Sequence, residues 1–247
     1  NELIDVFHEA IRQVGDLERL ISKVSLLRVN PRELLQVARA LDQIELLKNL
    51  CTENENPCLQ LYAEQLNVCD TIRQRIKKVI SQESPALLSK GNFINEGVDE
   101  DLDGLRSLSR SGKDYLVDMQ KRESAATGIS SLKVGYNNVF GYYLEVTNLH
   151  KDKVPAEWIR KQTLANAERY ITEELKEYEQ KILGADEKIH AIEERIYFEL
   201  LNACSEFVAP IQLNASVISK IDCLLSFAAV ALKNNYVKPI IDDSYVI

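Results

Sequence analysis

The chain has 247 residues, with 38 acidic and 30 basic side chains and a formal net charge of -8, an average field that repels nucleic acid. Its 45% hydrophobic and 28% charged residues are ordinary for a soluble globular protein, while 9 Gly and 6 Pro are too few for the closely spaced turns of an all-β sandwich or propeller. There is no uninterrupted apolar run of about 18 residues and no signal-peptide pattern, so neither a membrane partner nor export is expected. Five cysteines (Cys51, Cys58, Cys69, Cys204, Cys223) make an odd number without a C-x-x-C pair, which fits buried free thiols in a reducing, cytoplasmic setting.

The first half reads as helices. Leu17, Leu20, Ile21 and Val24 share one helical face. Asn30-Pro31 sets a cap before a first-turn proline, and Leu34, Leu35, Ala38, Leu41 and Leu46 follow on that helix. Asn56-Pro57 repeats the signal ahead of Leu61, Leu66, Ile72, Ile76 and Val79, and residues 84–95, with Pro85 and Gly91, read as a loop. A longer helix is expected over 98–122, with Val98, Leu102, Leu105, Leu108, Leu116 and Met119 on its apolar side. Residues 173–207 hold no Pro and one Gly, and Leu175, Tyr178, Ile182, Ala185, Ile189, Ile192 and Ile196 step by threes and fours in a heptad-like seam. A helix of that length is a rod of about 50 Å, which needs an equally long partner. The 98–122 helix, running the opposite way, is that partner.

Between the rods the texture changes. Residues 131–172 carry Tyr136, Phe140, Tyr142, Tyr143, Trp158 and Tyr170, and four short runs, 132–136, 141–147, 158–163 and 167–171, read as strands. Asn137-Asn138 suits a tight turn, and Leu164-Ala165-Asn166 is the length of a hairpin tip. The expected fold is therefore mainly α: a long antiparallel helical lever with a small antiparallel sheet inserted at its tip. Residues 1–130 and 173–247 form one discontinuous helical domain, and 131–172 form the insert. Within the insert six basic side chains face four acidic ones, which makes it +2 and leaves -10 on the remainder.

The insert and its flanks resemble a known family. Leu132-Lys133-Val134-Gly135-Tyr136-Asn137 and Gly141-Tyr142-Tyr143-Leu144-Glu145-Val146 are similar to the start of the clamp of MutS DNA mismatch repair proteins. Lys161-Gln162-Thr163-Leu164-Ala165-Asn166-Ala167-Glu168-Arg169-Tyr170 resembles the family's most recognisable motif outside its ATPase, and Glu174-Leu175-Lys176-Glu177-Tyr178-Glu179 continues it. Gly15-Asp16-Leu17-Glu18-Arg19, Asn30-Pro31-Arg32-Glu33-Leu34 and Tyr236-Val237-Lys238-Pro239 resemble other parts of the MutS core, so the likeness runs through nearly the whole chain. It implies a piece of a longer protein: the core and lever with the clamp inserted, gripping double-stranded DNA beside a second MutS subunit and relaying ATP-driven motion. The missing initial Met and the strand-like residues 242–247 fit such a piece.

The parent would use ATP and magnesium, but no G-x-x-x-x-G-K-[ST] occurs here, and the mismatch-reading Phe-x-Glu motif lacks its context, since Phe7-His8-Glu9 falls in a helical stretch. No catalytic residue, metal ligand or cofactor is therefore expected in the chain itself. What the resemblance implies for DNA contact is a set at two tips: Arg160, Lys161, Thr163, Leu164, Ala165 and Asn166 at the hairpin, and Asn148, Lys151 and Lys153 on the preceding loop. Ala165 replaces a residue that is commonly basic in the family. Arg169 fits a salt bridge to Glu168, Glu173 or Glu145 better than a DNA contact, and Tyr142, Tyr143 and Trp158 fit the clamp core better than base stacking. His8, His150 and His190 are too dispersed for a metal site, and Glu173-Glu174 and Glu193-Glu194 read as solvated helix faces. A second reading is a structural helical module that binds little DNA on its own.

Overall fold

The computed structural model describes residues 2–137, 139 and 141–237. Its contacts divide into two units, one of Asn1–Asn95 with Ile196–Ile247 and one of Glu96–Arg195.

The first unit is helical. After α1 (Glu2–Val14), Asp16 caps α2 (Leu17–Ser25) by accepting from Arg19 N at 3.0 Å. Asn30 and Glu33 form a capping box at the start of α3 (Pro31–Thr52), and Asn56 accepts from Cys58 N at the start of α4 (Pro57–Gln65). The apolar pattern expected to run on to Val79 is broken at Leu66: α5 (Asp70–Val79) begins anew after Cys69, whose φ is +50°. That break is held from far along the chain. Asn214, fully buried, accepts from Asn67 N at 2.8 Å and donates to Asn67 O at 2.7 Å, so one side-chain amide satisfies the turn's backbone as a strand would. Residues 84–95 include a 3-10 turn and a single bridge, Ile80 to Ile94. Leu46 and Leu61 are exposed, so the apolar faces of α3 and α4 are narrower than periodicity implied.

Asn214 lies on α8 (Val208–Lys233), which packs on α1, α2 and α4. By length and composition, with a mean hydropathy of 1.8, α8 is apolar enough to cross a membrane, although no uninterrupted apolar run of about 18 residues occurs in it. Lys220 and Asp222 lie within it, and a core helix meets the same criterion. Of the cysteines, Cys51, Cys69 and Cys204 are buried and desolvation raises their thiols to about 11, about 11 and about 12, whereas Cys58 and Cys223 are exposed, contrary to expectation.

The second unit is built on two long helices and a sheet. Asp99 accepts from Leu102 N at 2.9 Å to start α6 (Glu100–Thr127), which ends at Gly128 in the left-handed region, φ +65°. Strands β1 (Lys133–Asn137), β2 (Gly141–Thr147), β3 (Ile159–Thr163) and β4 (Ala167–Ile171) follow, and then α7 (Glu173–Ser205), whose Leu175 N donates to Thr172 Oγ1 at 3.1 Å. The helices lie antiparallel in rungs. Arg122 and Tyr115 both reach Glu174, Tyr115 stacks on Tyr178 at 3.7 Å, Ser109 donates to Asp186 at 2.6 Å, and Arg106 reaches Glu193 at 2.6 Å. At Gly112 a Cβ would stand 2.7 Å from Ile182 Cγ1, so only glycine permits this approach. Two expectations are corrected here. Leu108 is exposed, and the neighbouring Ser109 and Gly112 are the buried positions; Glu193 is fully buried in its ion pair and is not part of a solvated face.

The sheet is wholly antiparallel in the order β1-β2-β4-β3. Leu144, Val146, Trp158 and Tyr170 pack with Leu116 and Met119 of α6 and Leu175 and Ile182 of α7, so the sheet shares one core with the helix ends that carry it. Asn138, Phe140 and residues 238–247 lie outside the described residues, and with them part of the expected turn, Lys238-Pro239 and the strand-like 242–247.

Candidate nucleic-acid interface

The far edge of the sheet is the β3–β4 hairpin. Leu164 N donates to Ala167 O at 2.8 Å, which closes the turn and leaves Ala165 and Asn166 exposed at its end. The ladder shifts register between Arg160 and Gln162, so Lys161 sits in a bulge, exposed and without a strand partner. A bulge re-aims its side chain away from the regular alternation. Sequence alternation gave no sign of it.

The stretch expected as a second, separate loop is a 3-10 turn, Asn148–Lys153, and it is not separate. Asn148 N donates to Asn166 O at 3.1 Å, and Asn148 Nδ2 donates to Ala165 O at 2.9 Å. The two tips are one surface. Both inner carbonyls of the hairpin end are taken up by Asn148, whereas the N–H groups of Ala165 and Asn166 have no partner among the described residues.

The charged residues around this surface differ in their employment. Lys151 and Lys161 are exposed and make no ion pair among the described residues. Arg160 is paired with Glu168 at 3.2 Å, and Lys153 Nζ donates to Gly128 O at 3.3 Å. Glu168 also accepts from the hydroxyl of Tyr170, a phenol that burial first and Glu168 second push up to about 12. Leu149, beside Lys151, is exposed; Thr163 is exposed and Leu164 partly so. Lys133, on β1, is exposed too, and was not among the residues expected at the site.

Arg169 is spent inside the sheet, as its salt-bridge reading anticipated. It donates to Glu145 at 2.9 Å and to Gln162 at 2.9 Å, and its guanidinium lies 4.2 Å from the Tyr143 ring centroid. On β1, a Cβ at Gly135 would meet that ring at 2.6 Å, so the tyrosine needs the glycine. Tyr143 and Trp158 are buried and Tyr142 partly so, which removes them as stacking platforms. No group of three or more His, Cys, Asp or Glu side chains capable of holding a metal occurs among the described residues.

Residues 97–188, which span α6, the sheet and the first half of α7, match the family model described as MutS family domain IV. The chain is 57% identical over 243 residues to the DNA mismatch repair protein MutS of Bacteroides fragilis, covering 98% of this chain. It is 51% identical over 244 residues to that of Flavobacterium johnsoniae and 50% over 246 residues to that of Cytophaga hutchinsonii. The chain belongs to the MutS family. It spans 28% of the length of the Bacteroides fragilis relative, so this MutS segment holds the part around domain IV and only a fraction of such a protein. Within the MutS segment, the 3-10 turn lies against the exposed hairpin end of Ala165 and Asn166, Lys151 and Lys161 are exposed on that turn and on β3, and Arg160, Lys153 and Asn148 are engaged by neighbouring groups.

Proposed function

We propose that the sheet grips duplex DNA through its phosphates during mismatch repair, and that the paired helices α6 and α7 act as a lever between that grip and nucleotide chemistry elsewhere in the parent protein. The observation that supports this reading is the tip: two backbone N–H groups without a partner among the described residues, the exposed Asn166, and the exposed Lys151 and Lys161 on the adjoining turn and strand, neither of them in an ion pair there. Such groups suit phosphates, which fix a protein on the duplex without reading its sequence. ATP and magnesium would act outside these residues, and a second subunit would supply the opposing arm.

The test is binding of the full-length protein to a labelled duplex of arbitrary sequence across a salt series. With two or three phosphates neutralised per clamp, this site should contribute about -2 to -3 to the slope of log affinity against log salt. Lys151→Glu, Lys161→Glu and Asn166→Ala should each weaken binding. Wild-type retention by all three would refute the grip.

A second reading, a structural module that binds little DNA alone, is favoured by the exposed Leu224, Phe227, Val230 and Leu232 of α8. Tight duplex binding by these 247 residues alone at physiological salt would count against it.

A further inference from the structure

The 3-10 turn Asn148–Lys153 is fastened at both ends. At its start, Asn148 gives its backbone N–H to Asn166 O and its side-chain amide to Ala165 O, at 3.1 and 2.9 Å. At its finish, Lys153 Nζ reaches the carbonyl of Gly128, the residue in left-handed conformation that terminates α6. Carbonyls at a helix C-terminus are unsatisfied and partly negative, so an ammonium there both bonds and complements the dipole. Between the two anchors stands Lys151, exposed, its side chain in no hydrogen bond or ion pair among the described residues, with Glu168 as the carboxylate that feels its charge.

We propose that Asn148 and Lys153 are positioning residues and not phosphate contacts: the turn is a tie that joins the end of α6 to the hairpin tip and holds Lys151 and the tip N–H groups in one surface. Its purpose rests on the DNA grip proposed above, but the tie itself can be tested without DNA. An untied loop would have to order Lys151 at the moment of binding, at the cost of backbone and rotamer entropy. Fixing it beforehand removes that cost. The tie also gives a displacement of the α6 terminus a bonded route to the tip. An ammonium has three donors, so the bond to Gly128 does not by itself bar a phosphate from Lys153. The salt dependence decides that question.

The experiment compares Lys153→Met, Lys153→Arg and Asn148→Ala in the full-length protein. Without DNA, hydrogen exchange should quicken severalfold at the Asn148 amide, which bonds to the tip, and at the Leu164 amide, which closes it, in Lys153→Met and Asn148→Ala. Lys153→Arg keeps a donor and should exchange as wild type. Unchanged exchange in Lys153→Met overturns the tie. With duplex DNA, Lys153→Met should bind about threefold or more weakly with an unchanged log–log salt slope. A slope shallower by about 0.9 would mean that Lys153 neutralises a phosphate, and would overturn the assignment. If wild type binds no duplex, or Lys151→Glu binds as wild type, the grip fails while the exchange result still judges the tie. Should Asn148→Ala not fold, the two Lys153 variants carry the test.

Discussion

Glu174 enters α7 at its second position and takes hydrogen bonds from Tyr115 and from Arg122 Nη2, the latter at 2.6 Å. The Tyr115 hydroxyl first and the Arg122 guanidinium second hold its carboxyl below the ordinary glutamate range, against an opposing contribution from burial. A depressed carboxyl stabilises the fold above the unfolded value of about 4.3, and that contribution is lost as pH falls through the lower folded value. Because Glu174 and Arg122 are each more than a third exposed, the effect is at most about 1 kcal/mol. Glu174→Gln should therefore melt below wild type at pH 6–7, and the two curves should converge as pH falls through the lowered folded value of the carboxyl. Thermal unfolding followed by circular dichroism checks this, and a gap that persists at low pH would assign the loss to packing. Lys161 and Lys151 make the complementary point at the same scale. On the proposed grip their value would lie in forming no ion pair among the described residues, a property that composition cannot distinguish from that of Arg160 or Arg169, whose charges are already matched by Glu168 and Glu145.

Along the elements, the long helices were legible because both obey simple rules. The apolar stepping places α6 over 98–122, although the Asp99 cap starts it after Val98 and it runs on to Gly128, and the three-four stepping of α7 is buried at Leu175, Ile182, Ala185 and Ile196. The four strands stand within a residue of their expected ends because alternation and turn residues bound them. Three things were not legible. The β2–β4 pairing is a choice among edges that no local pattern encodes. The break between α4 and α5 depends on Asn214, 147 residues from Asn67. The polar rungs between α6 and α7 defeat a hydropathy reading, since Glu193 sits at a position that charge alone assigns to solvent. That buried rung has a measurable consequence. Arg106 is nearly buried and pairs with Glu193 at 2.6 Å and with Asp103 at 3.7 Å. Removing one member of a buried pair costs about 3–5 kcal/mol, since the other charge is left without its counterpart. With Asp103 still present, Glu193→Ala should fall at the lower end of that range. The double change Arg106→Met with Glu193→Leu should recover most of the loss in chemical denaturation, because it removes both members of the buried pair and leaves only Asp103, whose side chain is one-third exposed. A double variant as weak as the single one would show that packing, and not the ion pair, holds this rung.

Over the whole molecule, the net charge of -8 is an average over parts of opposite sign, with the 131–172 insert at +2. If DNA met the average field, any lysine-to-glutamate change would matter equally. If it meets the tip alone, position decides. Lys151→Glu and Lys188→Glu supply the comparison, since each takes the formal charge from -8 to -10. Lys188 is exposed on α7, and at 1.5 Å per residue it lies about 22 Å along the helix from Glu173, where α7 leaves the sheet. The screening length at physiological ionic strength is about 8 Å, so a charge there is nearly invisible to a phosphate held at the tip. Lys188→Glu should bind duplex DNA within about twofold of wild type with an unchanged salt slope. Lys151→Glu loses one neutralised phosphate and gains a repulsion, so it should bind about tenfold more weakly, equivalent to ~1.4 kcal/mol, with the slope shallower by about 0.9. Two proteins of identical charge would then differ in affinity and in salt response, as a local grip on an acidic body requires. Equal losses in both variants would return the interaction to the average field.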